Sequence, residues 1–479
     1  MIKISVKDNL YTYNLYHIVK AFFPEAEIRQ TVEKGQELLV KLVLDGGSCF
    51  SVIEDMAVRQ LGREEKKRHV TSLAYDWLAS YTGRHLAWGM LTGVRPTKLA
   101  FGRLDGGGDV KSAAEYMQKE YKVTEEKALL AARIADREKQ LLASLDYQNG
   151  FSLYVGIPFC PSICSYCSFG SSPAKLWKGR MDEYLDALLR EIQAIGRMAA
   201  GKKLDTVYIG GGTPTTLEAG QLERLLSLID EISQGSLLEY TVEAGRPDSI
   251  TREKLEVIKR HPVTRISVNP QTMQQKTLDL IGRRHSVQDV KDSFCLAREL
   301  GFENINMDLI AGLPGETAQD MRDTLQQIEE LEPDSLTVHS LAIKRASKMG
   351  QERECKKVIT PYKEIFQMVE DGAAAAKRMG LLPYYLYRQK NIAGNFENVG
   401  YAKVDKAGIY NILIMEEKQT ILAAGAGTTT KIVLPEKACL ENGKQTNLLR
   451  IENVKDVAEY LVRIDEMIER KTAAWQSVL

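Results

Sequence analysis

From Phe151 onward, short apolar runs alternate with amphipathic helices, and this alternation restricts the fold more than any other feature of the sequence. Strands that alternate with helices pair in parallel through right-handed crossovers. Helices are predicted at residues 180–199, 218–233, 251–260, 288–300, 318–331 and 361–380. Strands are predicted at residues 153–157, 206–209, 240–243, 265–268, 305–310 and 335–339. The pattern predicts an α/β fold with a partial (β/α)6 barrel, whose chemistry lies at the carboxyl ends of the strands.

The segments on either side of this region have different patterns. Residues 1–150 combine strand candidates at 2–6 and 37–44 with long helical stretches, which predicts a small N-terminal α+β domain of unassigned role. Residues 381–479 contain a strand-like run at 410–415 and a final helix from about Val454. We expect this part to be a mixed C-terminal extension that covers the substrate side. The sequence thus predicts three domains, 1–150, 151–380 and 381–479, which suits a chain of 479 residues.

Charge and composition exclude several classes of protein. The chain has 64 Lys and Arg against 64 Asp and Glu, so no net charge directs it to nucleic acid or acidic lipid. No apolar stretch approaches the ~20 residues of a membrane span, and the first residues lack the apolar core of a signal peptide. Seven cysteines without an export signal indicate reduced thiols rather than a disulfide framework. We therefore expect a cytoplasmic protein that binds neither nucleic acid nor membrane.

Three of the cysteines, Cys160, Cys164 and Cys167, lie close together directly after the first predicted strand. Thiolates are soft ligands that suit iron–sulfur clusters or zinc. A structural zinc site normally takes four protein ligands, and the next Cys or His along the chain is the distant His261. Three ligands on a four-iron cube leave one iron open to an exogenous ligand. The spacing therefore favours a [4Fe–4S] cluster with one open iron.

Glycine-rich or polar segments follow the later predicted strands. Residues 210–213, Gly-Gly-Gly-Thr, allow the backbone to approach a ligand closely, and the Gly-Lys-Ser/Thr of a phosphate loop is absent. Taken singly, each segment has a plain structural explanation. Glu243 suits a solvated strand end, Gln271 a turn cap, Arg283 a surface charge and Asp308 a helix N-cap. Their shared placement at the carboxyl ends of successive strands is difficult to attribute to chance.

The CxxxCxxC spacing, with the aromatic Tyr166 before the last cysteine, resembles that of the radical S-adenosylmethionine (SAM) enzymes. The resemblance covers roughly residues 150–345. It implies that the open iron chelates the amino and carboxylate groups of SAM. The reduced cluster would then cleave SAM to methionine and a 5′-deoxyadenosyl radical, which abstracts hydrogen from an unactivated carbon.

The same resemblance implies a set of residues that contact SAM. In the family, backbone carbonyls of the glycine loop accept from the SAM amino group, and the residue at Gln271 reaches the ribose. Arg283 corresponds to an arginine that pairs with the SAM carboxylate, which suits a planar guanidinium. The implied contacts are Tyr154, Tyr166, Gly211, Gly212, Thr213, Glu243, Gln271, Arg283, Asp308 and Ala342.

Within the radical SAM enzymes, the glycine loop, the segment 305–315 and the tail 383–391 are similar to the oxygen-independent coproporphyrinogen III oxidase family, in its HemZ-type branch. This implies oxidative decarboxylation of two propionates of coproporphyrinogen III to vinyls, which yields protoporphyrinogen IX in heme biosynthesis. It also implies reduced flavodoxin or ferredoxin as electron donor. By location alone, Lys344, Arg345 and Arg388 are candidates for cations that meet the substrate carboxylates.

Two departures from the family pattern leave the substrate open. Ser168-Phe169 stands where those oxidases usually have a fourth cysteine, and Gly156 replaces the His of their HIPFC segment. One alternative is a heme-binding chaperone of the HemW-like type, with His261, His285 or His339 as axial ligands, although the tail lacks an HNxxYW-like segment. Another is a radical SAM enzyme that acts on RNA through residues 1–150, which the absence of net charge disfavours.

Overall fold

The structure, a computed structural model, describes residues 1–34, 38–93, 95–235, 237–344, 346–351, 360–388, 396–439 and 445–478. The chain forms two compact units. The smaller unit contains Met1–Arg137 and Leu386–Glu397, and the larger contains Glu138–Tyr385 and Asn398–Leu479. None of the helices in the described ranges has both the length and the apolar character that crossing a membrane requires.

The smaller unit has a four-stranded sheet. Its strands are β1 (Ile2–Val6), β2 (Ile28–Val32), β3 (Leu38–Val43) and β4 (Cys49–Ile53), in the order β2-β1-β3-β4. The parallel pair β1–β2 is connected by α1 (Thr12–Phe22), and β3 pairs antiparallel with both β1 and β4. The later helices are α2 (Met56–Gln60), α3 (Arg63–Thr82), α4 (Thr97–Asp105), α5 (Val110–Tyr121) and α6 (Glu125–Leu141). The predicted α+β character of this region is confirmed.

The remaining elements follow from residue 150. The strands are β5 (Gly150–Ile157), β6 (Phe159–Cys160), β7 (Ser172–Pro173), β8 (Lys203–Gly211), β9 (Glu239–Gly245), β10 (Arg265–Val268), β11 (Ile305–Ala311), β12 (Ser335–Ser340), β13 (Leu382–Arg388), β14 (Glu397–Ala402), β15 (Thr420–Ala424), β16 (Thr429–Cys439) and β17 (Gln445–Glu452). The helices are α7 (Met181–Met198), α8 (Ala219–Ser233), α9 (Arg252–Arg260), α10 (Gln275–Leu280), α11 (Val287–Glu299), α12 (Ala318–Leu331), α13 (Lys348–Gln351), α14 (Tyr362–Arg378), α15 (Ile409–Glu416), α16 (Val457–Val462) and α17 (Ile464–Gln476). Short 3-10 turns lie at Ala174–Leu176, Pro214–Thr216 and Pro247–Ser249.

Six neighbouring strands, in the order β5-β8-β9-β10-β11-β12, pair in parallel. Each contains one of the predicted strands, and the predicted helices between them begin and end within two residues of their predicted bounds; α10, between β10 and β11, was not predicted. Because every crossover returns the chain to the same end of the sheet, the carboxyl ends of these strands lie along one edge. In the described residues β5 pairs next with β15, and β12 with β14, so the sheet stays open. The predicted α/β fold with a partial barrel is confirmed.

The two faces of these strands differ in chemistry. Alternate positions point to opposite faces of a strand. One set is apolar and buried: Leu153, Val155, Val207, Ile209, Val242, Ile266, Val268, Met307 and Leu309. The other set is polar: Ser152, Tyr154, Thr206, Tyr208, Thr241, Glu243, Ser267, Asn306, Asp308, Thr337 and His339. We call the second set the polar face; a closed (β/α)8 barrel would instead fill this side with branched apolar residues.

The C-terminal residues extend the same sheet. β15 pairs in parallel with β5, while β16 and β17 continue antiparallel. The strand predicted at residues 410–415 is wrong: this run forms helix α15, with Tyr410, Ile412 and Leu413 buried. A short apolar run has no period that separates a strand from a buried helix. The final helix predicted from about Val454 corresponds to α16 and α17. The three-domain division, with 381–479 as a separate part over the substrate, stays a prediction.

Candidate iron–sulfur and SAM site

The three clustered cysteines follow β5 at the carboxyl edge of the parallel strands. Cys160 ends β6, and Cys164 and Cys167 lie in the next loop, where the Cys167 amide donates to the Cys164 carbonyl at 3.0 Å. The loop is attached to the residues after α10. Ser162 Oγ donates to the Gly282 carbonyl at 2.9 Å, and the Ser165 amide donates to the Ile281 carbonyl at 3.0 Å. These anchors use no thiol, so the sulfurs are available to a metal.

The surroundings of the thiols fit a metal-bound thiolate. Burial raises the pKa of the Cys160 thiol, and it raises that of Cys167 to about 11, with the neighbouring cysteines adding to both shifts. Without a metal the thiols of Cys160 and Cys167 are therefore protonated at neutral pH, and metal binding would release their protons. Two guanidiniums face Cys164 Sγ: Arg246 Nη1 lies at 3.8 Å and Arg283 Nη1 at 4.0 Å.

The arrangement of the donor side chains favours an iron–sulfur cluster over a single metal ion. Within the described ranges, no three His, Cys, Asp or Glu side chains are grouped so that they could hold one metal ion. A four-iron cluster makes no such demand, because each cysteine binds a different iron atom. Three thiols on one loop, with positive charge against the middle one, fit a [4Fe–4S] cluster with an open corner. The assignment of Cys160, Cys164 and Cys167 as its ligands stays a prediction.

The glycine loop packs directly against the strand that leads to Cys160. The Gly212 amide donates to the Ile157 carbonyl at 2.8 Å, and the Thr213 amide donates to the Phe159 carbonyl at 2.7 Å. A Cβ on Gly212 would lie 2.5 Å from the Phe159 carbonyl oxygen, so a larger residue would separate the two segments. The Thr213 hydroxyl also donates to Cys160 Sγ at 3.5 Å. The loop therefore shapes the cluster side of the site.

Glu243 lies beside three stacked tyrosines. Its carboxylate accepts a hydrogen bond from the Tyr208 hydroxyl. Burial raises the pKa of Glu243 to about 7, although the Tyr208 hydrogen bond opposes the shift. The Tyr208 and Tyr410 rings are 4.6 Å apart, and Tyr154 stacks at 6.1 Å from each. Tyr410 comes from α15, and no sequence pattern indicated that it would join this group.

Gln271 and Asp308 are brought together at the ends of β10 and β11. Gln271 has a left-handed backbone with φ of 69°; its amide donates to the Asp308 carbonyl, and its carbonyl accepts from the Ile310 amide, both at 2.9 Å. Burial would raise the pKa of the Asp308 carboxyl, but the nearby His339 imidazole and the hydrogen bond from Asn306 outweigh it, and the pKa is lowered. Asp308 is therefore an anion at neutral pH, whereas the Glu243 carboxyl titrates near neutral pH.

Arg283 and Tyr166 lie against the cluster loop. Arg283 Nη2 donates to the Asn269 carbonyl at 2.6 Å, and Nη1 donates to the Tyr166 hydroxyl at 3.4 Å. Three buried atoms at this edge, Arg283 Nε, Asn269 Oδ1 and Ser267 Oγ, have no hydrogen-bond partner in the described part of the chain. Buried polar atoms are normally satisfied, so the residues fit a polar ligand such as SAM. Ala342 is partly exposed, just after β12. The ten predicted SAM contacts stay a prediction.

The structure describes two of the three candidate substrate cations. Lys344 is exposed, with its ammonium 5.9 Å from the centre of the Phe169 ring. Arg388 is buried in the smaller unit, where Nη1 donates to the Leu91 carbonyl at 2.8 Å, and burial lowers its pKa to about 10. It therefore has a structural role there. Arg345 lies outside the described residues.

The candidate axial histidines have protein surroundings of their own. His261 Nδ1 lies 2.6 Å from Asp230 Oδ2, and His339 Nε2 lies 3.8 Å from Asp308 Oδ2. His285 is buried, and burial lowers its pKa to about 4. The contacts of His261 and His339 with carboxylates are of the kind that structural histidines make.

Arg246, after β9, is a site residue that sequence reasoning missed. Nε and Nη2 donate to the Asp248 carboxylate at 2.9 and 2.6 Å, and Nη1 donates to the Ser162 carbonyl at 2.8 Å. The available signal was its position: the segment that contains Glu243 continues as Gly-Arg-Pro-Asp beyond the carboxyl end of a predicted strand.

Comparisons with known proteins agree with this geometry. The radical SAM superfamily model matches residues 154–328. Over 95% of its length the chain is 36% identical to the oxygen-independent coproporphyrinogen-III oxidase-like protein HemZ of Bacillus subtilis, of which it covers 94%. It is 40% identical to the heme chaperone HemW of the same organism, over 40% of this chain and 50% of the chaperone.

A solved structure shows the same fold. Coproporphyrinogen III oxidase HemN from Escherichia coli, a radical SAM enzyme, matches with a TM-score of 0.53 and 22% identity, over 70% of this chain and 73% of HemN. Radical SAM proteins use a [4Fe–4S] cluster and SAM, so the predicted cofactors are confirmed at the level of the family. The chain belongs to the radical SAM superfamily and, within it, to the family of oxygen-independent coproporphyrinogen-III oxidase-like proteins.

Proposed function

We propose that the protein is an oxygen-independent coproporphyrinogen III dehydrogenase. The observation that carries the proposal is the extent of similarity: the oxidase-like relative matches nearly end to end, whereas the chaperone HemW matches about half of its own length. The parts outside the cluster region, which must include contacts that select a substrate, are therefore shared with the oxidase-like protein.

The reaction explains why the site needs a radical. A propionate β C–H group is too weakly acidic for a general base to deprotonate at neutral pH. Loss of one hydrogen atom and one electron from each propionate, with departure of CO2, leaves a vinyl group, and an external one-electron acceptor takes the electron. When bound, the reduced cluster and SAM supply the carbon radical that removes the hydrogen atom.

The residues of this chain would bind and orient the cluster and SAM. Cys160, Cys164 and Cys167 would hold the cluster by three corners. Glu243, whose pKa burial raises to about 7, would ionise beside a cationic ligand and accept a hydrogen bond from the SAM amino group. Arg283 would hold the SAM carboxylate as a planar donor pair. The stacked rings of Tyr154, Tyr208 and Tyr410 would cover part of the polar face and limit the access of water.

We extend the proposal to the electron donor and the compartment. A one-electron carrier of low potential, reduced flavodoxin or ferredoxin, would reduce the cluster. The cytoplasm suits a site built on reduced thiols, because cytoplasmic thiols are kept reduced.

Anaerobic turnover tests the proposal. The reconstituted full chain is incubated with coproporphyrinogen III, SAM and a reductant, and the product is measured by mass spectrometry. We expect loss of two carboxyl groups, together with 5′-deoxyadenosine, and neither product from Cys164→Ser. Release of 5′-deoxyadenosine with no change in substrate mass would overturn the substrate while leaving SAM chemistry intact.

The second candidate function is a heme chaperone, because the central region is 40% identical to HemW. It predicts tight binding of heme to the same preparation and no decarboxylated product. Heme titration beside the turnover assay therefore separates the two functions.

A further inference from the structure

Arg246 and Cys164 are buried side by side at the carboxyl edge of the sheet. Arg246 is 4% exposed and Cys164 is 8% exposed. A buried guanidinium remains charged, because its pKa lies far above neutral pH. Its charge is therefore felt at the thiol with little screening by water.

Asp248 fixes the orientation of the Arg246 guanidinium. Its carboxylate accepts from Arg246 Nε at 2.9 Å and from Nη2 at 2.6 Å, which fixes the plane of the guanidinium. The remaining nitrogen, Nη1, then faces the cluster loop. It donates to the Ser162 carbonyl at 2.8 Å and lies 3.8 Å from Cys164 Sγ.

We propose that Arg246 is a positioning residue that raises the reduction potential of the cluster through Cys164. Reduction adds one electron to a cluster already surrounded by three thiolates. A fixed positive charge and an N–H group at one sulfur stabilise the reduced form more than the oxidised form. The cluster then accepts an electron from a milder donor. This inference concerns the cluster alone and holds for any substrate.

The test is a redox titration of the anaerobically reconstituted full chain without SAM, followed by electron paramagnetic resonance of the reduced cluster. Arg246→Met keeps the length of the side chain and removes its charge and donors. At the wild-type midpoint potential, we expect its ratio of reduced to oxidised cluster to be about tenfold lower, a shift of about 59 mV for one electron. Arg246→Lys, which keeps the charge, should recover most of this ratio.

Arg298→Met is the matched control. Arg298 Nη1 also pairs with a carboxylate, Asp334 Oδ2 at 2.6 Å, but Asp334 directly precedes β12 and so lies at the amino end of the parallel strands. This variant should leave the midpoint potential unchanged.

Two results would overturn the proposal. One is a midpoint potential that shows charge not to be the cause. This would be the wild-type potential in Arg246→Met, or a shift in Arg246→Lys as large as that in Arg246→Met. The other is failure of both Arg246→Met and Arg246→Gln to bind iron while Arg298→Met binds it, which would limit Arg246 to anchoring the loop. If only Arg246→Gln binds iron, its potential decides by the same criterion.

Discussion

The buried carboxylate of Glu191, in α7, collects hydrogen bonds from four separate segments. It accepts from the Gly425 amide at 2.8 Å, Asn453 Nδ2 at 2.9 Å, the Tyr460 hydroxyl at 2.5 Å and the Lys471 ammonium. Glu191 is 0% and Lys471 2% exposed. This ion pair therefore attaches the C-terminal helices α16 and α17 to the helix that follows the cluster loop.

Replacing Glu191 by Ala should destabilise the larger unit strongly. Removing one partner of a buried ion pair costs about 3–5 kcal/mol, because the other charge is left without compensation. Lys471→Met should cost less, since Glu191 keeps its three other donors. In the double variant Glu191→Ala/Lys471→Met no charge is left buried. We therefore expect the two changes to be non-additive by about 2–3 kcal/mol.

Urea unfolding of the four proteins, monitored by hydrogen exchange in α7 and α17, measures this coupling. Arg252→Ala is the control, since the Arg252–Glu299 pair is largely exposed, at 50% and 63%. An exposed pair contributes at most about 1 kcal/mol. Additive effects of the Glu191 and Lys471 changes, or a cost of Glu191→Ala no larger than that of Arg252→Ala, would refute the reasoning.

Two further predictions concern the site. Gly212→Ala should lower the iron content after reconstitution, because its Cβ would lie 2.5 Å from the Phe159 carbonyl oxygen and such overpacking costs about 1–3 kcal/mol. Gly220→Ala is the control, since no atom lies within 4 Å of its Cβ. Equal iron contents in the two variants would contradict close packing at Gly212. Burial raises the pKa of Glu243 to about 7, so its contribution to stability is present at acid pH and is lost as pH rises through about 7. SAM affinity should correspondingly weaken as pH falls through about 7, because the neutral acid is a poorer hydrogen-bond acceptor for the SAM amino group than the carboxylate. Calorimetric titrations between about pH 6 and 8 measure this, and an unchanged pH dependence in Glu243→Gln would exclude Glu243 as its source.

The parallel strands were predictable because their signals are local. Each strand is a short apolar run bounded by turn residues, and each following helix has a clear apolar period, as in α12. The run at residues 410–415 lacks this contrast, since nearly every position is apolar. Its helical state is set by tertiary contacts, in which the Tyr410 amide donates to Glu239 Oε2 at 3.1 Å. Residues distant in sequence thus decided the element that was predicted wrongly.

The site divides in the same way. The cysteine spacing and the glycine loop are contiguous motifs, so sequence identified them. Arg246 reaches Ser162 and Cys164 across more than 80 positions, and no local pattern marks that contact. The Tyr208–Tyr410 contact joins β8 to α15 and is equally invisible to periodicity. Sequence therefore identified the motifs that are predicted to hold the cofactors, and the structure added the residues that surround them.

The polar face explains why the C-terminal segment belongs with the site. Six strands with Tyr154, Tyr208 and Glu243 on one side cannot cover that side with their own apolar residues. The match to the radical SAM superfamily ends at residue 328, yet the tyrosine stack on the polar face includes Tyr410 from α15. Residues beyond 328 are therefore where differences in substrate should be sought, and the turnover of Tyr410→Phe and Tyr410→Ala against their cluster content is the direct comparison.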